Sequence, residues 1–365
     1  MINNVLVVGG GIAGMTAAIS LRRIGLAVDL VDLDPQWRVY GAGISITGMS
    51  LRAFDHLGVL EEIRRRGYIG SAVRTRKFTG EFIAITNLPE ESGGILRPVL
   101  HDILASVVRK EGVSVELGVT VTSLSQTPDH VDVTFSNGRT GRYDLVIGAD
   151  GIYSSIRSMI FPEAAGPRFT GQGCWRVVAP RPADMDRGES YLDGPVKIGL
   201  NPVSKDEMYM FLLEHIPDNP RYTDEELVQQ LHTLMAPFGG LVPDVRDSIR
   251  EPSQINYRPL EWLFLPAPWY QGRVVLIGDA AHATTPHLAS GAGLAAEDGL
   301  VLAEEMARHD GVAEALAAFM ERRFERARLI VESSVRIGEI QMSGQPSLTA
   351  SAMFGSIIKH MQEPY

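Results

Sequence analysis

The chain has 365 residues, of which 45% are hydrophobic and 21% charged, and its formal net charge at pH 7 is −10. This length exceeds the usual size of one core and predicts two domains, while the acidic balance disfavours nucleic acid as a partner. The single cysteine, Cys174, excludes an intramolecular disulfide and a cysteine cluster for zinc, and it fits a reducing cytoplasm. An apolar strand begins by Val5 and no apolar run reaches about 18 residues, so we expect neither a standard signal peptide nor a membrane span.

The first strand runs into a glycine-rich turn. Val5–Val8 is an apolar, β-branched run typical of a buried parallel strand, and the Ala- and Leu-rich segment 13–21 favours a helix. Between them, Gly9, Gly11 and Gly14 fit the pattern G-x-G-x-x-G. In that pattern the first glycine permits a tight turn, the second lets the backbone approach a pyrophosphate, and the third lets helix and strand pack closely.

An acidic residue ends the next apolar strand. Asp32 stands where a carboxylate would bind the ribose hydroxyls of an adenosine, so the order strand, glycines, helix, strand and acid predicts a dinucleotide site. The motif does not say which dinucleotide binds. Arg38 follows beside a second glycine turn, where it could approach the cofactor or form a surface ion pair.

The α/β pattern is then interrupted. Two strands around Thr79-Gly80 predict a hairpin and an excursion into a second domain, and residues Asn87–Gly94 have the composition of a loop. Arg97 opens an amphipathic helix. Further on, Asn137-Gly138 is a favoured two-residue hairpin turn, and an apolar strand ends at the turn Gly148–Gly151.

Residues 167–265 change to short strands and many prolines around one predicted helix, roughly Thr223–Met235. This mixture predicts a mostly antiparallel sheet that carries one wall of a binding cavity. Residues 208–213 alternate, so that either Met208, Met210 and Leu212 or Tyr209, Phe211 and Leu213 line the cavity. Trp175 is expected to pack. His215, at the end of this strand, could act as a base on a phenolic substrate or be incidental.

A third apolar strand, Arg273–Ile277, ends at Gly278-Asp279, and helical patterns occupy most of the rest of the chain. His282, just after this turn, favours a structural role. Turns at the carboxyl ends of parallel strands converge on one crevice, so the three turns predict one extended ligand.

These stretches resemble the single-component FAD-dependent aromatic hydroxylases, a flavoprotein monooxygenase family typified by p-hydroxybenzoate hydroxylase and salicylate hydroxylase. The resemblance rests on Gly9–Gly14 with Asp32, on Ala149–Arg157, and on Trp269–His282, which is the most specific. It implies an α/β fold: a Rossmann-like, glutathione-reductase-like FAD-binding domain, a second, mostly antiparallel β-sheet substrate domain and a C-terminal helical region. The expected bounds are 1–70, 97–166 and 266–335 for the FAD domain, 71–96 and 167–265 for the substrate domain, and 336–365 for the C-terminal segment.

The resemblance also implies site residues for a non-covalently bound FAD. The candidate cofactor-binding residues are Gly9, Gly11, Ala13, Gly14, Asp32, Arg38, Arg97, Asp150, Gly278, Asp279, Gly291, Ala292 and Gly293. Arg97 could instead be a surface residue at a helix start, and Asp150 could cap the helix that follows it.

The stretch Pro286–Gly293 resembles the segment beneath the flavin ring, where a helix N-terminus stabilises negative charge on the reduced flavin. It departs from the family pattern because Gly293 stands where relatives often have an Asn, which leaves flavin mobility open. Pro286 and His287 are candidate catalytic residues here, together with His215.

The implied activity is reduction of FAD by NADH or NADPH, reaction with O2 at flavin C4a, and hydroxylation of a small aromatic or N-heteroaromatic ring. The alternatives are a flavin-binding redox sensor, a halogenase or reductase of similar architecture, and a plain NAD-dependent dehydrogenase. The absence of a second dinucleotide fingerprint and of a cysteine pair separates the chain from disulfide reductases. We expect a cytoplasmic monomer or homodimer.

Overall fold

The computed structural model describes residues 2–38, 41–343 and 347–365, with the side chains of 347–351 outside this part. The strands, in chain order, are β1 Asn4–Val8, β2 Ala27–Asp32, β3 Gly43–Ile46, β4 Tyr68–Lys77, β5 Phe82–Leu96, β6 Ser114–Leu117, β7 Val121–Gln126, β8 Val131–Phe135, β9 Thr140–Tyr143, β10 Leu145–Gly148, β11 Arg168–Pro180, β12 Gly188–Leu192, β13 Lys197–Pro202, β14 Glu207–His215, β15 Ile255–Trp262, β16 Tyr270–Gln271 and β17 Val274–Leu276. The helices are α1 Ile12–Arg23, α2 Gly48–His56, α3 Leu60–Arg66, α4 Arg97–Lys110, α5 Ser155–Ile160, α6 Asp224–Met235, α7 Val242–Ser248, α8 Asp279–His282, α9 Gly291–Arg308, α10 Val312–Met342 and α11 Ser347–Gln362. Short 3-10 helices lie at Pro252–Gln254 and Pro286–Leu288.

The first sheet has the order β16-β17-β10-β1-β2-β6 and is parallel except for the edge pair β16-β17. Its central strands are apolar because they are buried in one core with helices, among them α1 and α9, and with a third, three-stranded sheet of order β7-β8-β9, as the continuous run Val5–Val8 predicts. Helix α9 packs closely on α1: a Cβ atom at Gly299 would lie 2.5 Å from the backbone nitrogen of Ala17. The predicted α/β fold is confirmed.

The second sheet has the order β15-β11-β14-β13-β12-β4-β5-β3. Its pairs are antiparallel except for β12-β4, so the predicted mostly antiparallel sheet is also confirmed. One of its faces shares an apolar core with α6 and α7, and this core is separate from the core around the first sheet. The domain bounds given above stay a prediction.

Two local predictions were wrong. Residues Asn87–Gly94, expected to be a loop, belong to β5, which pairs with β4 and then with β3. Gly93 permits this pairing, since a Cβ atom there would lie 1.8 Å from the carbonyl oxygen of Tyr68. The region 167–265 also holds a second helix, α7, in addition to the predicted one; Pro243 stands in its first turn, where proline is tolerated.

Other local signals were confirmed. Thr223 caps α6 through a capping box with Glu226, and Asn137-Gly138 turns β8 into β9 with Gly138 at a φ of 83°. Arg97 begins α4. None of the described helices combines the length and the apolar character that crossing a membrane requires.

Asp298 is at the centre of a buried network that joins α9, α10 and the turn before α8. Its Oδ2 atom accepts hydrogen bonds from the Gly278 backbone N–H at 2.8 Å and from His282 Nε2 at 2.6 Å, and its Oδ1 atom accepts one from Arg323 Nε at 2.8 Å. Arg323 also pairs with Glu297 at 2.7 Å, and these three charged side chains are fully buried. This position explains His282 as a structural residue.

The network depends on the charge of Asp298. Burial alone would raise the pKa of this carboxyl, but His282, Arg323 and the Gly278 N–H lower it to about 2. A carboxylate with a lowered pKa stabilises the fold above its unfolded-state pKa of about 3.9. That contribution is lost as the pH falls through the folded-state pKa, so the network remains ionised at neutral pH.

We expect Arg323→Met to lower the free energy of unfolding by about 3–5 kcal/mol, because it leaves two buried carboxylates without their shared cation. Thermal or urea unfolding of the flavin-loaded protein measures this loss. The control is Arg328→Met in the same helix, where Glu325 and Glu332 pair with the arginine in solvent. Equal unfolding midpoints for the two variants would contradict the assignment.

Candidate functional site

The three turns predicted to share a ligand lie side by side. They follow β1, β10 and β17, which are adjacent parallel strands, so their backbones meet at one edge of the sheet. The third turn also approaches the start of α1: a Cβ atom at Gly278 would lie 2.8 Å from the Cβ atom of Ala13. The crevice at this edge is therefore lined by residues far apart in the sequence.

The three glycines of the first turn are required for different reasons. Gly9 has a φ of 105°, and a Cβ atom there would lie 2.3 Å from the carbonyl oxygen of Ala149. At Gly14 a Cβ atom would lie 1.9 Å from the carbonyl oxygen of Gly9, so this glycine allows helix and strand to touch. At Gly11 a Cβ atom would meet nothing within 4 Å. The space beside Gly11 is thus open for a ligand at the N-terminus of α1.

Asp32 stabilises the Gly9–Gly14 turn through hydrogen bonds. Its Oδ2 atom accepts a hydrogen bond from the Gly10 N–H at 2.6 Å, and its Oδ1 atom accepts one from the Asp34 N–H at 2.8 Å. The lone pairs that remain on the carboxylate can accept from ligand hydroxyls. Arg38 forms an ion pair with Asp34, Nε to Oδ2 3.3 Å, and about half of its side chain is exposed.

Trp37 follows β2 in the sequence and contacts the Gly9–Gly14 turn, but sequence analysis did not select it as a site residue. It has a φ of 49°, is 5% exposed, and donates a hydrogen bond from Nε1 to the Gly10 carbonyl at 3.0 Å. Its ring meets His101 edge-on, and the guanidinium of Arg109 lies 5.1 Å from the ring centroid. A tryptophan among polar turn residues was the available signal.

Asp150 caps α5. Its carboxylate accepts hydrogen bonds from the Ser155 N–H at 2.7 Å and from the Ile156 N–H at 3.2 Å. Arg157, in the same motif, donates from NH1 to the Ala280 carbonyl at 2.9 Å, and so ties the second turn to the third. The capping interpretation of Asp150 is observed, and a contact with the cofactor stays a prediction.

The charges of Arg97 and Asp279 interact across the crevice. The Asp279 side chain reaches solvent in the crevice. The protein packed around it still raises the pKa of the carboxyl by desolvation, and His282 and Arg97 oppose the rise. Burial, followed by the charge of Arg176, lowers the pKa of Arg97. The Cδ atom of Arg97 lies 3.0 Å from the position that a Cβ atom would take at Gly41. Arg97 is therefore half-buried beside Gly41, and its charge lies within reach of Asp279 and Tyr209.

Arg176 is a second missed residue. It lies on β11 opposite Phe211 of β14, on the same sheet face as Tyr209. Burial raises the pKa of Tyr209 to about 12, although Arg176 opposes the rise. Within the described ranges, Arg176 forms no ion pair with a carboxylate. A lone arginine in an apolar run was a visible signal, but its sheet face could not be assigned from the sequence.

The structure assigns the two alternating sets of β14. One set belongs to the core with α6 and α7: Met208, Met210 and Leu212. The opposite set faces the crevice: Tyr209, Phe211 and Leu213. Trp175 packs in the core that the second sheet shares with α6 and α7, and its Nε1 donates a hydrogen bond to Glu214 at 2.9 Å. His215, at the end of β14, is exposed to solvent.

His287 lies in the 3-10 helix before α9 and is 6% exposed. Its Nδ1 atom is 3.0 Å from Thr285 Oγ1, which in turn contacts Ser334 Oγ of α10 at 2.8 Å. Its Nε2 atom has no hydrogen-bond partner among the described residues. Burial, and next the charge of Lys197, lower the pKa of His287 to about 3. The imidazole is therefore neutral at pH 7.

Lys197 and Gln172 are further residues that sequence analysis missed. Lys197 lies on β13 opposite Leu213, on the crevice face, and burial lowers its pKa to about 8. Gln172 is 4% exposed, and its Oε1 atom has no partner in the described part of the chain. Gly338 of α10 lies beside His287 and Gln172: a Cβ atom there would be 2.7 Å from His287 Cε1 and 3.0 Å from Gln172 Oε1.

Helix α9 begins at Gly291, and its first N–H groups have no partner within the helix. Ser290, just before it, is fully buried, and its Oγ atom has no hydrogen-bond partner within the described part of the chain. A Cβ atom at Gly293 would lie 2.6 Å from Met49 Cε and 2.9 Å from Ser50 Oγ. The tight packing of α2 therefore leaves no room for the Asn that relatives often carry.

These residues fit FAD. The open space beside Gly11, the carboxylates of Asp32 and Asp279, the half-buried cation Arg97 and the free N–H groups of α9 match a pyrophosphate, sugar hydroxyls and an electron-poor ring system. Pro286, Ala292 and Gly293 stand at the edge of this arrangement, in or beside the segment that joins the 3-10 helix to α9.

Comparison with known proteins agrees with this geometry. Residues 3–334 match the family model described as an FAD binding domain. Aurachin C monooxygenase/isomerase of Stigmatella aurantiaca is 32% identical over 353 residues, which cover 92% of this chain and 89% of the relative. The 2-heptyl-3-hydroxy-4(1H)-quinolone synthase of Pseudomonas aeruginosa is 33% identical over 347 residues, with the same coverage of 92% and 89%.

A solved structure shows the same fold. The structure of Klebsiella pneumoniae HpxO with FAD and uric acid superposes with a TM-score of 0.86 at 23% identity, and covers 98% of this chain and 97% of the other. The family match extends over most of the chain, and the relatives named above are monooxygenases or synthases by name. The chain therefore belongs to this FAD-binding family and is an FAD-dependent monooxygenase of the aromatic hydroxylase type.

Proposed function

We propose that this monooxygenase hydroxylates a small aromatic or N-heteroaromatic ring, using NADH or NADPH and O2. One observation supports this most directly: the charge of Arg97 acts on both Asp279 of the third turn and Tyr209 of the second sheet, so the FAD turns and the face that carries Tyr209 and Phe211 border one crevice. This face also carries Gln172, whose Oε1 atom has no partner among the described residues. Aromatic side chains suit a planar ring, and buried polar atoms without partners suit its hydroxyl or ring nitrogen. The names of two relatives refer to quinolone and aurachin compounds, which agrees with such a ring.

The cofactor roles follow from position. The Gly9–Gly14 turn and Asp32 would hold the ADP half, while Arg97, Gly278 and Asp279 would face the ribityl and phosphate region. The N–H groups of Gly291, Ala292 and Gly293 would stabilise negative charge on the reduced ring, since helix N-termini carry partial positive charge. Direct roles for Arg38 and Asp150 stay predictions, as do the cytoplasmic location and a monomeric or homodimeric state.

FAD, when bound, supplies the chemistry of reduction by nicotinamide and of oxygen activation. The chain contributes orientation and exclusion of water: the sheet face, Pro286 and α10 enclose the ring. His287 is neutral with Nε2 unpartnered, so it can accept a hydrogen bond from a ring hydroxyl or N–H. A pKa near 3 makes it a weak proton acceptor, so we assign it to orientation. The exposed His215 is less suited to contact the ring.

A substrate panel tests the function. Phenols, hydroxybenzoates, hydroxypyridines and quinolones are added to the flavin-loaded protein, and NADH or NADPH oxidation and oxygenated products are measured. We expect at least one compound to stimulate oxidation and to appear as a hydroxylated product. A bound flavin that no nicotinamide reduces would instead indicate a redox sensor, and protein that binds no FAD would indicate a plain dehydrogenase.

Gly11→Ala tests the cofactor turn. The new methyl group meets no protein atom but enters the space assigned to the pyrophosphate, so we expect FAD affinity to fall about tenfold or more without loss of folding. Titration of the flavin-free protein with FAD measures this change. Gly166→Ala is the matched control, because a Cβ atom there also meets nothing within 4 Å. Unchanged affinity in Gly11→Ala would rule out this placement.

His287→Ala tests the orientation of the ring. Loss of one hydrogen bond to substrate is expected to lower kcat/KM for hydroxylation about tenfold, with FAD content unchanged. His215→Ala should leave kcat/KM close to that of the wild-type enzyme, since its side chain is exposed. The opposite ranking of the two variants would reverse the assignment.

A further inference from the structure

We infer that Lys197 binds an anionic oxygen of the ring substrate and thereby selects anionic over neutral rings. The inference rests on the proposed function and extends it to the charge of the substrate. The anionic oxygen is either a carboxylate on the ring or a deprotonated ring hydroxyl.

Lys197 is a half-buried cation for which the described residues provide no counter-charge. Its side chain is only partly accessible, it faces the crevice from β13, and burial is the one cause that shifts its pKa. No carboxylate of the described residues forms an ion pair with it. An unpaired cation in the interior lowers stability unless a ligand compensates for it.

Two other buried polar atoms lie at this end of the sheet and have no partner among the described residues: His287 Nε2 and Gln172 Oε1, both against Gly338 of α10. Gln172 is two residues before Cys174, which pairs with Leu213, the same residue that pairs with Lys197. Buried polar atoms are normally hydrogen-bonded, so unpartnered atoms that converge on one place indicate a ligand or bound water. Lys197, His287 Nε2 and the Gln172 amide together form a polar end of the crevice, which suits a ring that carries an oxygen atom.

The positions of the charges, rather than their sum, favour an anion beside Lys197, since Arg97 is assigned to the phosphate region of FAD. Among the described residues that interact in this region, Arg97, Arg176 and Lys197 are cations and Asp279 is the carboxylate. Arg176 pairs with Phe211, next to Tyr209, and its charge acts on Arg97, whereas Lys197 pairs with Leu213, two residues further along β14, and its charge acts on His287. Lys197 is therefore the cation most suited to a group on the substrate.

The experiment measures binding of matched ligands to the flavin-loaded enzyme through the change in flavin fluorescence. One pair is a hydroxybenzoate, which is an anion in solution, and the corresponding neutral hydroxybenzamide. The other pair is a hydroxypyridine, whose hydroxyl becomes an anionic oxygen when it is deprotonated in the site, and the corresponding methoxypyridine, whose oxygen cannot be deprotonated. We expect Lys197→Met to raise the Kd of the anionic member of one pair about 10- to 100-fold, with little change for its neutral partner. The pair that responds identifies the source of the anionic oxygen, carboxylate or ring hydroxyl.

Lys197→Arg should restore most of the affinity, because it keeps the charge, and Lys205→Met, in the exposed turn after β13, should leave every Kd unchanged. Equal shifts for charged and neutral ligands, or no shift for either, would overturn the inference. Hydroxylation of the neutral members by Lys197→Met at the wild-type rate, with no preference for anions in the wild type, would overturn it while leaving the proposed function intact. Failure of every probe to bind or to be hydroxylated would overturn both.

Discussion

The buried carboxylate of Asp298 fixes the third cofactor turn, and the crevice depends on that turn. Gly278 adopts a φ of 58° and turns its N–H into the core, where an unpartnered donor would cost about 1–3 kcal/mol. Asp298 satisfies this N–H, and it can remain ionised there because Arg323 and His282 supply positive charge and hydrogen bonds. Since Asp279 directly follows Gly278, the same network sets the position of a carboxylate that faces the cofactor site.

The long helix α10 connects this network to the substrate side of the crevice. Arg323 in its first half anchors Asp298, Ser334 further along contacts Thr285, and Gly338 lies against His287. Only a glycine at 338 permits this approach, because a Cβ atom would overlap the imidazole. Helix α10 thus positions both the third cofactor turn and His287, so a change in the packing of α10 would alter both.

Much of this could be predicted from the sequence, because the strongest constraints are local. Gly9, Gly14 and Gly278 mark turns that other residues cannot form, and the strands before them are continuous apolar runs. The polar crevice residues could not be predicted, since the face on which Arg176 and Lys197 lie depends on which side of the sheet α6 and α7 cover. The same limit explains residues 87–94, whose polar composition hides a strand that is held by its neighbours.

The cofactor-binding turns and the side chains that face the ring lie in separate parts of the fold. This separation explains how one family can act on different rings. The cofactor turns lie at the edge of a parallel sheet and are constrained by close backbone contacts, so they tolerate little change. The residues that face the ring alternate along β11, β13 and β14, and every second position can vary without disturbing the core on the opposite face. Gly293 shows that packing also limits the cofactor side: here α2 lies so close that an Asn side chain would not fit, and the backbone N–H groups at the start of α9 remain for the proposed contact. Selectivity therefore depends on a few inward side chains. Among them we propose Lys197 for the charge of the substrate, because it forms no ion pair with a described carboxylate and, inside a protein, a charge acts over a longer distance than a hydrogen bond.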